Sequence, residues 1–332
     1  MKFLFKGVDF FPHDTRWKII ERRYIFIGLS WALAVFSAVL LMTRGLNYGV
    51  DFKGGSLIEV QSKGGPLNVG ELRARLDKLG IGEVQVQGVG AGNEALIRVA
   101  QQEQTKELNE EKAQAAANDK VRAALGENIE VRRVEVVGPT VSDELKWTGV
   151  KAVVAAMAGI LLYVWFRFEW QFGVAAILAL SHDVFITIGM FSLLWYEFDL
   201  SVVAAILTLA GYSVNDTVVV FDRIRENLRR YKRMPLIDLL NLSINETLSR
   251  TVLTSVTTAL AVLALYIFGT QVIHGFSFAM LFGIVIGTYS SIFVAAPFLL
   301  LFGVKREWGP AAAKLPAAGG TGSTQRRNAT TK

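Results

Sequence analysis

The sequence predicts a polytopic α-helical membrane protein, with six transmembrane helices and one α+β domain of ferredoxin-like topology between helices 1 and 2. Three observations carry that prediction. The 332 residues are 52% hydrophobic and only 19% charged, where a soluble domain is charged at about a quarter of its positions. Six apolar runs have about the length a membrane-spanning helix needs. A single polar segment, residues 43–146, interrupts them after the first run. Cysteine is absent, which excludes disulfides and thiolate metal sites. The three histidines, His13, His182 and His274, lie far apart and argue against a histidine metal site.

Residues 1–23 carry Lys2, Lys6, Arg16, Lys18, Arg22 and Arg23 against three acidic residues. The apolar run 24–42 that follows exceeds the 7–15 residues of a signal-peptide core and lacks a cleavage signature. It reads as an uncleaved first helix with a cytoplasmic N-terminus. Residues 43–146 then hold 14 basic and 16 acidic residues. Period-two alternation places strands at 84–89 and 94–100, the stretches 57–61 and 129–137 also read as strands, and helical spacing of Leu72, Leu76 and Leu79 places a helix at 69–79. The charged, Ala-rich stretch 105–125 is a second helix. A turn at Gly90-Ala-Gly-Asn93 joins the middle strands. The order β-α-β-β-α-β is that of a ferredoxin-like domain.

Five more apolar segments follow, at 148–166, 172–195, 200–221, 251–269 and 276–302. The links at 167–171 and 196–199 are so short that consecutive helices must be antiparallel neighbours. Charge sets the orientation. The segment 222–250 has seven basic residues (Arg223, Arg225, Arg229, Arg230, Lys232, Arg233, Arg250) against four acidic, and residues 303–332 have six against one. The turn at 196–199 holds only Glu197 and Asp199. Under the positive-inside rule both termini are cytoplasmic and the α+β domain is outside. This distribution accounts for the net charge of +6 without a nucleic-acid partner. Within the cytoplasmic connection 222–250, the basic stretch 222–241 could bind anionic lipid or a cytosolic partner but reads first as a solvated helix whose side chains snorkel to the headgroups. The tail 303–332 reads as disordered.

Asp216 stands out because it lies in the fourth apolar run. A carboxylate at the bilayer centre costs roughly 2.5–3.5 kcal/mol on cautious scales, and intramembrane ionisable groups mark ion paths by default. Ser243-Ile-Asn-Glu246 has the form of a capping box, so the fifth helix is expected to begin near Ile244. Arg250 is then about 9 Å into that helix at 1.5 Å per residue. Asp216 precedes Asp222 by the same six residues, so Asp216 and Arg250 are expected at matching depth. Helical spacing puts Arg250, Thr254, Thr257 and Thr258 on one face and Tyr212, Ser213 and Asp216 on another. With Asn215, these predict a polar seam. His182 and Asp183 are a possible secondary relay, although neighbours about 100° apart on a helix cannot both face one narrow seam. Gly283 and Gly287 form a GxxxG, which permits close helix packing. Lys151 is expected to snorkel. No glycine cluster has the strand-helix context of a nucleotide-binding loop, so no cofactor is expected beyond protons as a coupling ion.

Several stretches together resemble one family. Tyr48-Gly-Val-Asp-Phe-Lys-Gly-Gly55 resembles the glycine box of the SecD/SecF translocase subunits. Gly211-Tyr-Ser-Val-Asn-Asp-Thr-Val-Val-Val-Phe-Asp-Arg-Ile-Arg-Glu-Asn227, Ser181-His-Asp183, Ser249-Arg-Thr-Val-Leu-Thr-Ser255 and Gly275-Phe-Ser-Phe278 are similar to its helix signatures, and the resemblance spans residues 24–307. Six helices with one short outside domain resemble the SecF-type half. The resemblance implies a half-unit of the resistance-nodulation-division superfamily, located in the bacterial inner membrane. It implies SecD, the SecYEG translocon, YajC and a translocating preprotein as partners. It also implies that Asp216 and Arg250 take part in proton passage, and that proton-motive force assists preprotein export, with no enzymatic activity. Two other readings stay open: a non-conducting docking subunit, in which the buried pair is structural, and a proton-driven efflux half-transporter. The small outside domain disfavours the latter. The glycine-box residues Asp51 and Lys53 are expected to build a turn beside the first helix.

Overall fold

The computed structural model describes residues 16–89, 92–102 and 109–304. Six helices are long and apolar enough to cross a membrane. A short 3-10 turn, Ile20–Arg22, leads into α1 (Arg23–Thr43). The others are α5 (Pro139–Arg167), α6 (Trp170–Leu194), α7 (Leu200–Arg230), α8 (Leu236–Phe268) and a last span from His274 to Leu301. That last span comprises α9 (His274–Ser290), a π-helical turn (Ser291–Ala295) and α10 (Ala296–Leu301). The core of the helix bundle is aromatic and aliphatic, with Phe172 and Phe191 of α6 and Phe221 of α7 wholly buried.

Between α1 and α5 lies the α/β domain. It comprises β2 (Gly55–Ser62), α3 (Val69–Asp77), β3 (Val84–Val89), β4 (Glu94–Val99), α4 (Glu110–Leu125) and β5 (Ile129–Val137). The sheet order is β3-β4-β2-β5 and every neighbouring pair is antiparallel. That is the ferredoxin-like arrangement expected from the element order. Period-two alternation buries Ser56, Ile58 and Val60 on one face of β2. There the aliphatic ones pack with Leu72 and Leu76 of α3 and Val121 of α4. Residues 90–91 of the tight turn predicted at 90–93, the start of the second domain helix at 105–108, and residues 1–15 and 305–332 lie outside the described residues.

Two features tie the domain to the membrane helices. Strand β1 (Asn47–Tyr48), just after α1, pairs in parallel with β6 (Glu197–Phe198), in the turn between α6 and α7. A one-turn helix, α2 (Val50–Lys53), then ends at the paired glycines. Gly54 adopts φ +75° and Gly55 φ +112°, and a side chain on Gly55 would strike the carbonyl of Val99. Only glycine is comfortable at such angles. The turn expected for the glycine box is therefore a helix stop feeding directly into β2.

The largest departure from expectation is at the opposite end. Helix α7 runs on to Arg230 and α8 begins at Leu236, so the basic stretch is helical as expected, with a five-residue connection, but α8 starts well before the predicted Ile244. The N-cap position of α8 is Pro235, and a proline disfavours helix ahead of it. Ser243 is no cap: its hydroxyl donates to the carbonyl of Leu239 at 2.8 Å inside the helix. Glu246 accepts from Arg223 Nε and Asn227 Nδ2, both at 2.7 Å. The Ser-x-x-Glu spacing served the helical hairpin instead of a helix start. Its end is fastened to the chain before α1, where Asn245 and Trp17 exchange two hydrogen bonds and Asn241 accepts from the Ile20 N–H.

Candidate functional site

The polar groups inside the membrane gather where α6, α7, α8 and α9 meet, in two clusters that adjoin on α7 and α9. The first centres on Asp183, which is wholly buried on α6. Its Oδ2 accepts hydrogen bonds from Ser213 Oγ of α7 and Ser290 Oγ of α9, both at 2.6 Å. Its Oδ1 lies 3.0 Å from His182 Nδ1. The expectation that His182 and Asp183 cannot share a seam is corrected here. The imidazole reaches along the helix to its neighbour, so the two backbone positions need not face the same way. The His182 ring also stacks on Tyr289, with centroids 6.5 Å apart.

Close packing makes those short bonds possible. A Cβ on Gly287 would lie 3.2 Å from Ser213 Cβ, and one on Gly283 would run into the side chain of Leu209. The GxxxG thus joins α9 to α7 within the chain. Backbone approach of this kind is what small residues permit in membrane bundles.

The second cluster holds Asp216, one turn further along α7 and about 24 Å from the helix start at Leu200. Asp216 is 3% exposed. The hydrogen bond found for it is a long one, 3.4 Å from Ser255 Oγ of α8. Ser255 in turn shares a 2.6 Å hydrogen bond with Thr288 of α9 and accepts a 3.5 Å bond from Tyr212 OH.

Arg250 does not pair with Asp216 among the described residues; it is exposed on the surface of the chain. The expected threonine face is also displaced. Thr254, Thr257 and Thr258 donate to carbonyls of their own helix, at 2.9–3.1 Å, and Thr257 is exposed. The α8 face that meets α7 and α9 carries Thr251 and Ser255 instead, both buried. Asn215 is exposed on α7, outside the seam. Of the predicted seam, Tyr212, Ser213 and Asp216 take part. Ser255, Thr288 and Ser290 were missed, although Ser255 closes the quoted helix signature. A serine in a membrane helix carries too weak a signal to rank alone.

A third group lies at the domain end of the bundle. Asp51 of the glycine box accepts from the Leu200 N–H at 2.8 Å, and Asp199 caps α7 by accepting from Val202 N–H at 2.9 Å. Both suit the positive end of a helix dipole. Glu197 forms a salt bridge with Arg98 of β4, linking domain and turn. Burial raises the Glu197 carboxyl above the ordinary carboxylate range, against the lowering effect of Arg98 and with the help of Asp199 and Asp51. Burial likewise raises Asp199.

Comparison with known proteins decides the family. The model described as "Protein export membrane protein SecD/SecF, C-terminal" matches residues 117–305, and the SecD/SecF GG motif matches residues 39–65. The chain belongs to the SecD/SecF family. It is 44% identical over 307 residues to the protein translocase subunit SecF of Rhodobacter capsulatus, covering 89% of this chain and 92% of that one. It is 48% identical over 286 residues to SecF of Ketogulonicigenium vulgare, covering 84% and 87%. The protein translocase subunit SecDF of Brucella abortus is 44% identical over 294 residues, covering 89% of this chain but 38% of its own. The crystal structure of SecDF from Thermus thermophilus superposes with a TM-score of 0.78 at 37% identity, over 88% of this chain and 39% of that one. A super-membrane-facing form of SecDF gives 0.64 at 38% identity, over 87% and 39%. The chain therefore spans about two-fifths of SecDF and nearly the whole of SecF. It is a multi-pass membrane protein of a translocase family, with a transport role rather than catalysis.

Proposed function

We propose that this chain is the SecF-type half of an inner-membrane export motor, pairing with SecD and using protons that pass at Asp216 to assist preprotein movement through SecYEG. The observation that carries the reading is the contrast between the two buried carboxylates. Among the described residues, Asp183 is held by three side-chain hydrogen-bond partners, whereas Asp216 has one long hydrogen bond and no ion pair. A carboxylate that is to gain and lose a proton needs such freedom; one saturated with short hydrogen bonds is committed to structure. Asp183 accordingly locks α6, α7 and α9 together, and Asp216 works on the scaffold so formed.

Arg250 and Asn215 support the SecD pairing. An exposed arginine at membrane depth is costly unless a partner or water meets it. A second half-unit packed on α7 and α8 covers both residues and completes the path to Asp216. Each proton crossing the membrane delivers about 2.3 kcal/mol per 100 mV. The parallel β1–β6 pair and the Arg98–Glu197 bridge connect the start of α7 to the domain, so a shift of α7 on protonation is transmitted outward. With both termini cytoplasmic, that domain faces the periplasm, where an emerging preprotein and YajC-containing complexes are within reach.

The test is proton flux through the purified complex in proteoliposomes carrying an internal pH dye. The reading predicts flux with the wild type and its loss with Asp216→Asn, which keeps size and hydrogen bonding but cannot ionise. Equal flux from both would leave the alternative of a docking subunit whose buried carboxylates are structural.

A further inference from the structure

Lys53 is a glycine-box residue that neither the turn nor the proton site uses. Its neighbour Asp51 is turned to the Leu200 N–H, and among the described residues Lys53 has no ion pair. It stands on the rim of a groove of about 670 Å³ between the end of α1, α5, α6 and α7, on the side of the bundle that carries the α/β domain. The size falls in the 300–1,000 Å³ range of ligand sites. The walls are apolar, with Val150 and Val154 of α5 facing Val203 and Ile206 of α7, and the second rim cation is Lys146. Lys146 pairs with Asp143 at 2.9 Å in an exposed bridge, a contact of little strength that a stronger anion can displace.

The depth of the groove suits a lipid. Trp147, 67% exposed beside Lys146, is the type of residue that sits at headgroup level. Below it Val150 and Val154 are 54% and 61% exposed, at hydrocarbon depth on a helix that the rest of the chain barely covers. An apolar polypeptide helix would leave Lys53 unmatched and Lys146 with only its exposed Asp143 bridge; a phosphate above an acyl chain satisfies the rim and the walls together. We infer that this groove is a binding site for one anionic phospholipid of the leaflet on the domain side, its acyl chain between α5 and α7 and its phosphate between Lys53 and Lys146. A lipid there would wedge against α7 near its start, beside the β1–β6 pair.

The experiment is native mass spectrometry of the delipidated full chain, with the subunits it retains, titrated with phosphatidylglycerol or phosphatidylcholine. The wild type should retain one phosphatidylglycerol in preference to phosphatidylcholine. A membrane-proximal lysine favours anionic lipid by roughly five-fold, so Lys53→Gln with Lys146→Gln should weaken phosphatidylglycerol about ten- to thirty-fold and erase the preference. Val154→Trp, at an exposed position, should fill the groove and lose both lipids. Unchanged phosphatidylglycerol binding in either variant overturns the proposal. So does a benzophenone at position 154 that crosslinks to a polypeptide in place of lipid.

Discussion

Gly287 of α9 lies so close to Ser213 of α7 that a Cβ on the glycine would sit 3.2 Å from the serine Cβ, and that serine hydroxyl donates to Asp183 at 2.6 Å. Helix packing and carboxylate solvation are therefore one structure. Gly283→Ala, which drives a methyl into Leu209, should lower stability by about 1–3 kcal/mol, the usual cost of overpacking. Gly211 has open space around it, so Gly211→Ala should be neutral or stabilising. Thermal unfolding in detergent, read side by side, checks the contrast.

Ser213→Ala and Ser290→Ala each remove one hydroxyl donor from Asp183 Oδ2. Loss of a donor to a buried acceptor costs about 1–3 kcal/mol. Because both serve one oxygen, the double substitution should fall outside simple additivity. A double-mutant cycle on the thermal midpoint measures this; strict additivity would mean that the two bonds are independent.

The seam on α8 is defined by Ser255 and not by the outer threonines. Ser255→Ala should alter export, since it removes the Asp216 donor and the Thr288 partner together. Thr257→Val, at an exposed hydroxyl bonded to its own helix, should export at the wild-type rate. Matched export assays of the two variants decide between the faces.

Stability at the domain turn should depend on pH. Glu197 and Asp199 are both raised by burial, so in the folded state they bind protons more tightly than in the unfolded chain, where such groups titrate near 4. Folded protein then holds more protons above that pH, and stability falls as pH rises through the raised values. Asp199→Asn preserves the cap on α7 but not the ionisation, and should flatten the fall. Thermal midpoints across the acidic to neutral range, in wild type and variant, supply the comparison.

Much of this was legible in the chain because the signals were long. Six apolar runs and a two-residue period in β3 and β4 each depend on many residues at once. What failed depended on single residues. Ser243 and Glu246 matched a capping box, but Pro235 set the start of α8, and the rotation of that helix placed Ser255 inward and Arg250 outward. Asp183 is expected only as a secondary relay beside His182, and the donors that hold it, Ser213 and Ser290, lie on helices 30 and 107 residues away and cannot be read from its own helix. A sequence shows a buried charge readily, but not how well the fold has satisfied it.

The central claim is that Asp216 carries the coupling proton, and post-initiation translocation into inverted membrane vesicles tests it most directly. Wild type and Asp216→Asn are compared at matched complex abundance, with and without a proton gradient. The account predicts that the variant retains its SecD partner and loses the gradient-stimulated part of translocation. Full stimulation in the variant would contradict it, and would make Asp216 one more structural carboxylate beside Asp183.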